Sequence, residues 1–129
     1  MPNFSKNSFN KLMTCDRKLQ EIFFEVIKHI DCTILDGSRT KEEQEEYFKT
    51  GKSKARWPES KHNTFPSLAV DAVPYPIDWE DKERMAVFIG FVLAVAAMKG
   101  IKIRSGIDWN MDTQTKDSKF KDYPHFELV

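Results

Sequence analysis

Apolar residues at Leu19, Ile22, Phe23, Val26, Ile27 and Ile30 recur at i, i+3, i+4, i+7, i+8 and i+11. That spacing predicts an amphipathic helix facing a core, with Thr14 or Asp16 capping its start. Residues 32–35 form a short apolar run that stops at the turn signal Asp36-Gly37 and read as a strand. Thr40 and Glu43 make a capping box, and Gly51 ends the second predicted helix at about Thr50. Its only apolar residues are Tyr47 and Phe48, so it belongs on the surface. Residues 68–73 read as a buried strand broken by Pro74-Tyr75-Pro76. Asp78 is the expected cap of a third helix that runs to about Lys99 and stops at Gly100. From Met85 to Met98 this helix is apolar nearly all round, the pattern of a central core helix. Residues 101–104 alternate as a strand. At the C-terminus His125 and Glu127 face one way and Phe126 and Leu128 the other, again as in a strand. Between these elements lie a long loop at 52–66 containing Trp57, and a polar, mobile stretch at 111–121.

Length and composition narrow the picture further. A chain of 129 residues argues for one domain, 1–129, large enough for a sizeable core. Lys plus Arg equals Asp plus Glu, 20 against 20, so charge gives no reason to expect nucleic acid or an anionic membrane as partner. Cys15 and Cys32 are too few for a disulfide framework and lack metal-motif spacing, which leaves two buried free thiols. No long apolar run follows the N-terminus, so no signal peptide is expected and synthesis is placed in the cytoplasm. The 14 residues of 85–98 fall short of the roughly 20 that span a membrane.

Three histidines are present. His29 sits near the end of the first predicted helix, where the dipole favours it structurally. His62 and His125 sit at loop-to-strand junctions with acids close by. Asp71 interrupts an apolar strand, a costly position without a partner. His62, Asp71 and His125 would offer two nitrogens and one oxygen to Zn2+, and three protein ligands with an open position is the catalytic pattern. Such a centre needs a carboxylate base beside its water, and Asp122 is the candidate. Pro124 biases Tyr123 to an extended conformation, so this is not a helical zinc motif. The competing reading is two satisfied histidines and an aspartate bonded to backbone N–H groups. Arg39, between a strand and a helix N-terminus, is either an anion-binding side chain or a plain surface arginine. Neither a Gly-rich phosphate loop nor a Gly-x-Ser-x-Gly elbow is present, and neither cysteine has a histidine-activated setting.

Ser60-x-His62, Ala69-x-Asp71 and Asp122-x-x-His125, preceded by Gly37-Ser38-Arg39-Thr40, resemble the zinc D-Ala-D-Ala carboxypeptidase and L-alanyl-D-glutamate peptidase superfamily. Residues 106–110 and 125–129 resemble its phage endolysin branch. The resemblance implies a small α+β domain whose antiparallel sheet carries the zinc site, packed against about three helices, in agreement with the element order above. It implies His62, Asp71 and His125 as zinc ligands, Asp122 as catalytic base and Arg39 as a catalytic, substrate-polarising residue. Asp108 and Trp109 would help Arg39 to bind substrate. The implied activity is that of a monomeric peptidase cutting peptidoglycan peptide stems between L-alanine and D-glutamate, released from the host cytoplasm by a holin-type route. A D-Ala-D-Ala carboxypeptidase and a hedgehog-like zinc module without catalysis are the alternatives. The gap from His62 to Asp71 is longer than the superfamily's usual one, with the extra residues around Pro66.

Overall fold

The computed structural model describes residues 3–129. In chain order the elements are α1 (Lys6–Leu12), α2 (Arg17–Val26), β1 (Cys32–Asp36), α3 (Lys41–Lys49), a 3-10 turn (Lys61–Asn63), β2 (Ala69–Pro74), α4 (Lys82–Met98), β3 (Ile103–Ser105) and β4 (His125–Leu128). The strands form one antiparallel sheet in the order β1-β2-β4-β3, an α+β arrangement. One face of the sheet is apolar. Ile34, Val70, Ala72, Ile103 and Phe126 meet Leu19, Ile22, Phe23 and Val26 of α2 and Phe88, Ile89 and Val92 of α4 there. Phe126 is the pivot, with its ring 5.6 Å from Phe23 and 6.3 Å from Phe88. The opposite face carries the polar residues of β2 and β4.

α1 was not anticipated. Its sequence, KNSFNKL, has no apolar periodicity, and only Ser8 and Leu12 are buried. Its purpose lies in the sheet. β1 is an edge strand, and an edge exposes unpaired backbone groups. Ser8 Oγ accepts from the Ile34 N–H at 3.0 Å, and Lys11 Nζ donates to the Leu35 carbonyl at 3.0 Å. The helix thus covers the edge with side-chain hydrogen bonds, and the described residues contain four α-helices where about three were expected.

Two further expectations are corrected. Asp81, not Asp78, caps α4, accepting from the Arg84 N–H at 3.1 Å; Asp78 instead closes a tight turn by accepting from the Glu80 N–H. α4 is also not buried all round. Met85, Phe88, Ile89, Val92, Val95 and Ala96 face the core, while Val87 is 70% and Met98 88% exposed. The stretch at 111–121 is a chain of turns tied by Asp108 and Asn110. Asp16 caps α2, Thr40 and Glu43 form the capping box of α3, and Gly51 follows it with φ +81°, all as the sequence implies.

The pairing of β2 with β4 places Asp71 directly opposite His125. Gly106 holds this end of β4 in place. Its N–H donates to the His125 carbonyl at 2.8 Å, and its carbonyl accepts from the Asp122 N–H at 2.8 Å. A Cβ at Gly106 would overlap the Asp122 carbonyl and lie 2.9 Å from His125 Cβ. Overpacking of this kind costs about 1–3 kcal/mol. Gly106→Ala is therefore expected to lose that much stability in urea unfolding; an unchanged midpoint would contradict the close approach.

Candidate metal centre

Three side chains from three separate elements converge on the polar face of the sheet. His62 comes from the 3-10 turn, Asp71 from β2 and His125 from β4, and all three are buried. His62 Nε2 lies 3.1 Å from Asp71 Oδ1 and 3.3 Å from His125 Nδ1. His125 Nδ1 lies 3.3 Å from Asp71 Oδ1. The far nitrogens determine what the near ones are. His62 Nδ1 lies 2.6 Å from the Gly37 carbonyl, which can only accept, so it carries the proton. His125 Nε2 lies 2.8 Å from Glu127 Oε1, so it too is the N–H donor. Both inner nitrogens then point lone pairs at each other and at a carboxylate oxygen. Three acceptors this close repel unless a cation sits among them, and outward bonds of this type are what orient histidine ligands. The donor set of two imidazoles and a carboxylate fits Zn2+.

The electrostatics agree. Burial disfavours charge on His125, but its bonds to Asp71 and Glu127 prevail and raise its pKa to about 9. The site favours positive charge at this position. Burial raises Asp71, yet electrostatic attraction to His62 and the bond to His125 outweigh it and hold the carboxyl well below its usual range. Burial likewise opposes ionisation of Glu127, and His125 and Arg104 pull it down to about 2. Arg104 Nη2 donates to Glu127 Oε2 at 2.6 Å, so the carboxylate that orients His125 is itself fixed from β3.

Arg39 is buried. Its Nε donates to Asp36 at 2.6 Å, Nη1 to Gln44 at 3.1 Å and Nη2 to Asp71 Oδ2 at 2.9 Å, and the guanidinium lies 4.3 Å from the Tyr47 ring centroid. It therefore fixes Asp71 so that Oδ1 faces the histidines. Its own N–H donates to the His62 carbonyl at 2.7 Å, docking the 3-10 turn on the turn that supplies Gly37. Gln44, the one buried residue of α3, completes this support by donating to Ser53 and the Ala55 carbonyl.

Asp122 stands where a cleft crosses the cluster. A cavity of about 550 Å³ on one side is lined by Asp36, Tyr47, Asp71, Trp79 and Tyr123 among others. A second of about 370 Å³ on the other side includes His62, Trp109, Phe120, His125 and Glu127. Arg39 and Asp122 line both. Burial, and next the charge of Asp71, raise the Asp122 pKa to about 6.

His62, Asp71, His125, Asp122, Arg39 and Trp109 are thus brought together. Trp109 Nε1 donates to the Phe120 carbonyl at 2.7 Å, and its ring lies 5.4 Å from that of His125. Asp108 is not brought in. Its carboxylate accepts from the N–H groups of Asp112 and Thr113 and borders a separate hollow between α4 and β3. Trp57 lines neither half of the cleft. His29 pairs with Glu25 at 2.8 Å on the surface, a structural role. Both cysteines are buried free thiols, pushed up to about 12 by burial. Glu127 and Gln44 were missed as supporting residues; the alternation of β4 already put Glu127 beside His125 on the same face. The long gap between His62 and Asp71 is anchored at its far end. Ser67 is buried, its N–H donates to the Thr14 carbonyl, and its carbonyl accepts from the Asp16 N–H. Thr64, Phe65 and Pro66 bulge outward and line neither half of the cleft.

Comparison with known proteins bears on the same residues. The profile of a family described as phage L-alanyl-D-glutamate peptidase matches residues 2–129. The L-alanyl-D-glutamate peptidase of Escherichia phage T5 is 35% identical over 136 residues, covering 98% of this chain and 97% of that protein. Among solved structures, the L-Ala D-Glu endopeptidase ChiX of Serratia marcescens superposes with a TM-score of 0.76 at 22% identity, covering 98% of this chain and 90% of that one, a likeness of fold.

If Glu127 sets the tautomer of His125, its replacement weakens metal binding without touching a ligand. Glu127→Gln is expected to lower affinity for Zn2+ about 10–100-fold in competition with a chromophoric chelator. Unaltered affinity would remove Glu127 from the account.

Proposed function

The chain belongs to the phage L-alanyl-D-glutamate peptidase family, and from that membership and its donor set we propose a zinc-dependent, endolysin-type endopeptidase that cuts peptidoglycan stems between L-alanine and D-glutamate. One observation carries the zinc reading: three lone pairs converge within 3.1–3.3 Å of one another beside a half-buried carboxylate of raised pKa. In this reading His62 Nε2, Asp71 Oδ1 and His125 Nδ1 hold the ion. Zinc bound there supplies Lewis-acid polarisation of a carbonyl and acidification of water.

The chain's own residues do the rest. Asp122 takes a proton from the attacking water and returns it to the leaving amine of D-glutamate. Burial raises its basicity while leaving it ionised at neutral pH, which suits both steps. Arg39 keeps Asp71 fixed, and its buried positive charge at the cleft floor favours the developing oxyanion. Trp109 walls one side of the cleft, and Asp108 acts at one remove by closing the loop that presents it. The cleft continues on both sides of the cluster, which suits an internal bond better than a chain end and favours the endopeptidase over a D-Ala-D-Ala carboxypeptidase. Asp122, a base that a zinc-binding module without catalysis would not need, argues for turnover. We place residues 1–129 as one monomeric catalytic domain. Among the described residues no helix is long and apolar enough to cross a membrane, and the proposed route to the wall is holin-type release.

Three outcomes test this reading. Asp122→Asn should retain zinc and lose about 10²–10⁴-fold in turnover. Activity should fall as pH drops and Asp122 gains its proton; a dication nearby lowers that pKa, so the acid limb belongs at or below about pH 6. Mass spectrometry of digested peptidoglycan should show new L-alanine C-termini and D-glutamate N-termini; release of D-alanine alone would identify a carboxypeptidase instead.

A further inference from the structure

The two halves of the cleft differ in how their charges are paired. The larger half is rimmed by Lys52, Lys82 and Lys121, all exposed, and among the described residues none of them is in an ion pair. They stand beside aromatic walls. Lys82 Nζ lies 4.5 Å from the Tyr123 ring centroid and Lys52 Nζ 5.9 Å from that of Tyr47. In the other half Arg104 and Lys61 are instead committed to Glu127, and among the described residues its one unpaired lysine, Lys54, lies 5.3 Å from the Phe120 ring centroid on a rim it shares with Glu59. The acids of the larger half are engaged elsewhere: Asp36 and Asp71 hold Arg39, and Asp122 faces the cluster. In a chain with equal numbers of acidic and basic residues, a cluster of three unpaired lysines at one end of a cleft, against one at the other, points to an anionic ligand there.

The proposed substrate has that asymmetry. On the L-alanine side the stem continues into a neutral lactyl amide. On the D-glutamate side it carries a free α-carboxylate next to the scissile bond, unless that group is amidated. Resting on the endopeptidase reading, we propose that Lys82 and Lys121, with Lys52 behind them, bind the α-carboxylate of the D-glutamyl residue. They seat the leaving half of the stem in the larger half of the cleft and make the enzyme selective for non-amidated stems.

The test uses two muropeptides that differ only in carrying a carboxylate or a carboxamide at this position. Zinc-loaded wild-type protein should prefer the acid about tenfold in kcat/KM, and salt should erode that preference because exposed charges are screened. In the Lys82→Met/Lys121→Met variant the ratio should approach one. Lys99→Met, at the far end of α4 and roughly 25 Å from Lys82, should retain it. Calorimetry with the D-glutamyl product peptide should show the same acid-over-amide preference and its loss in the double variant, independently of turnover. Equal wild-type rates on the two substrates, or a double variant that loses both by the same factor, would overturn the proposal while leaving the peptidase reading intact. Cleavage of neither substrate would overturn both.

Discussion

The structure depends on a constraint at two ring nitrogens that face away from the centre. Gly37 offers His62 only a carbonyl, and Glu127 offers His125 only a carboxylate. Each therefore holds its imidazole in the tautomer whose remaining lone pair points inward. Repulsion among those lone pairs and Asp71 would open the site in the absence of a positive charge. The supporting elements exist to resist that opening. Arg39 restrains Asp71, Arg104 restrains Glu127, and the 3-10 turn is pinned to the Gly37 turn by a backbone bond. At Gly37 the chain passes so close to Thr14 and to the Lys11 carbonyl that a Cβ has no room. The acceptor for His62 is thereby tied to the first helix and the turn that follows it.

Sheet topology explains how residues so far apart in sequence meet. The last strand inserts between β2 and β3, which places His125 across from Asp71 and Glu127 across from Arg104. Alternation along β4 divides its labour. Phe126 closes the apolar core, and His125 and Glu127 build the centre on the other face. The centre thus rests on a fully packed sheet rather than on loops, which is how ligand positions are held tightly enough for chemistry. Asp122 is the exception. It sits on the turn leading into β4 and, among the described residues, is held only through backbone bonds to Gly106 and His125. That suits the proton-exchanging role proposed for it.

Much of this was legible in the sequence, for local reasons. Periodicity located α2, the Thr40–Glu43 pair located α3, and an acid inside an apolar strand singled out Asp71. The ordered motifs around His62, Asp71 and His125 named the centre because chemistry restricts which residues stand there. What was not legible depends on tertiary contact. α1 is short and polar because its task is to satisfy the edge of β1. The start of α4 shifted from Asp78 to Asp81, since both carry a suitable carboxylate and only the Arg84 N–H selects between them. Part of the apolar surface of α4 faces outward, and residue type alone does not show that. The resemblance of residues 106–110 to the endolysin branch pointed Asp108 to the cleft, but its carboxylate is consumed by its own turn.

The family assignment and the geometry meet at the proposed cation, so its coordination is the most direct thing to measure. X-ray absorption at the zinc edge on protein loaded with one equivalent should show two imidazole nitrogens and light oxygen ligands at about 2.0–2.2 Å, with no sulfur. His125→Ala should leave a single imidazole. Absence of stoichiometric zinc, a sulfur shell at about 2.3 Å, or a wild-type spectrum with fewer than two imidazoles would contradict the account.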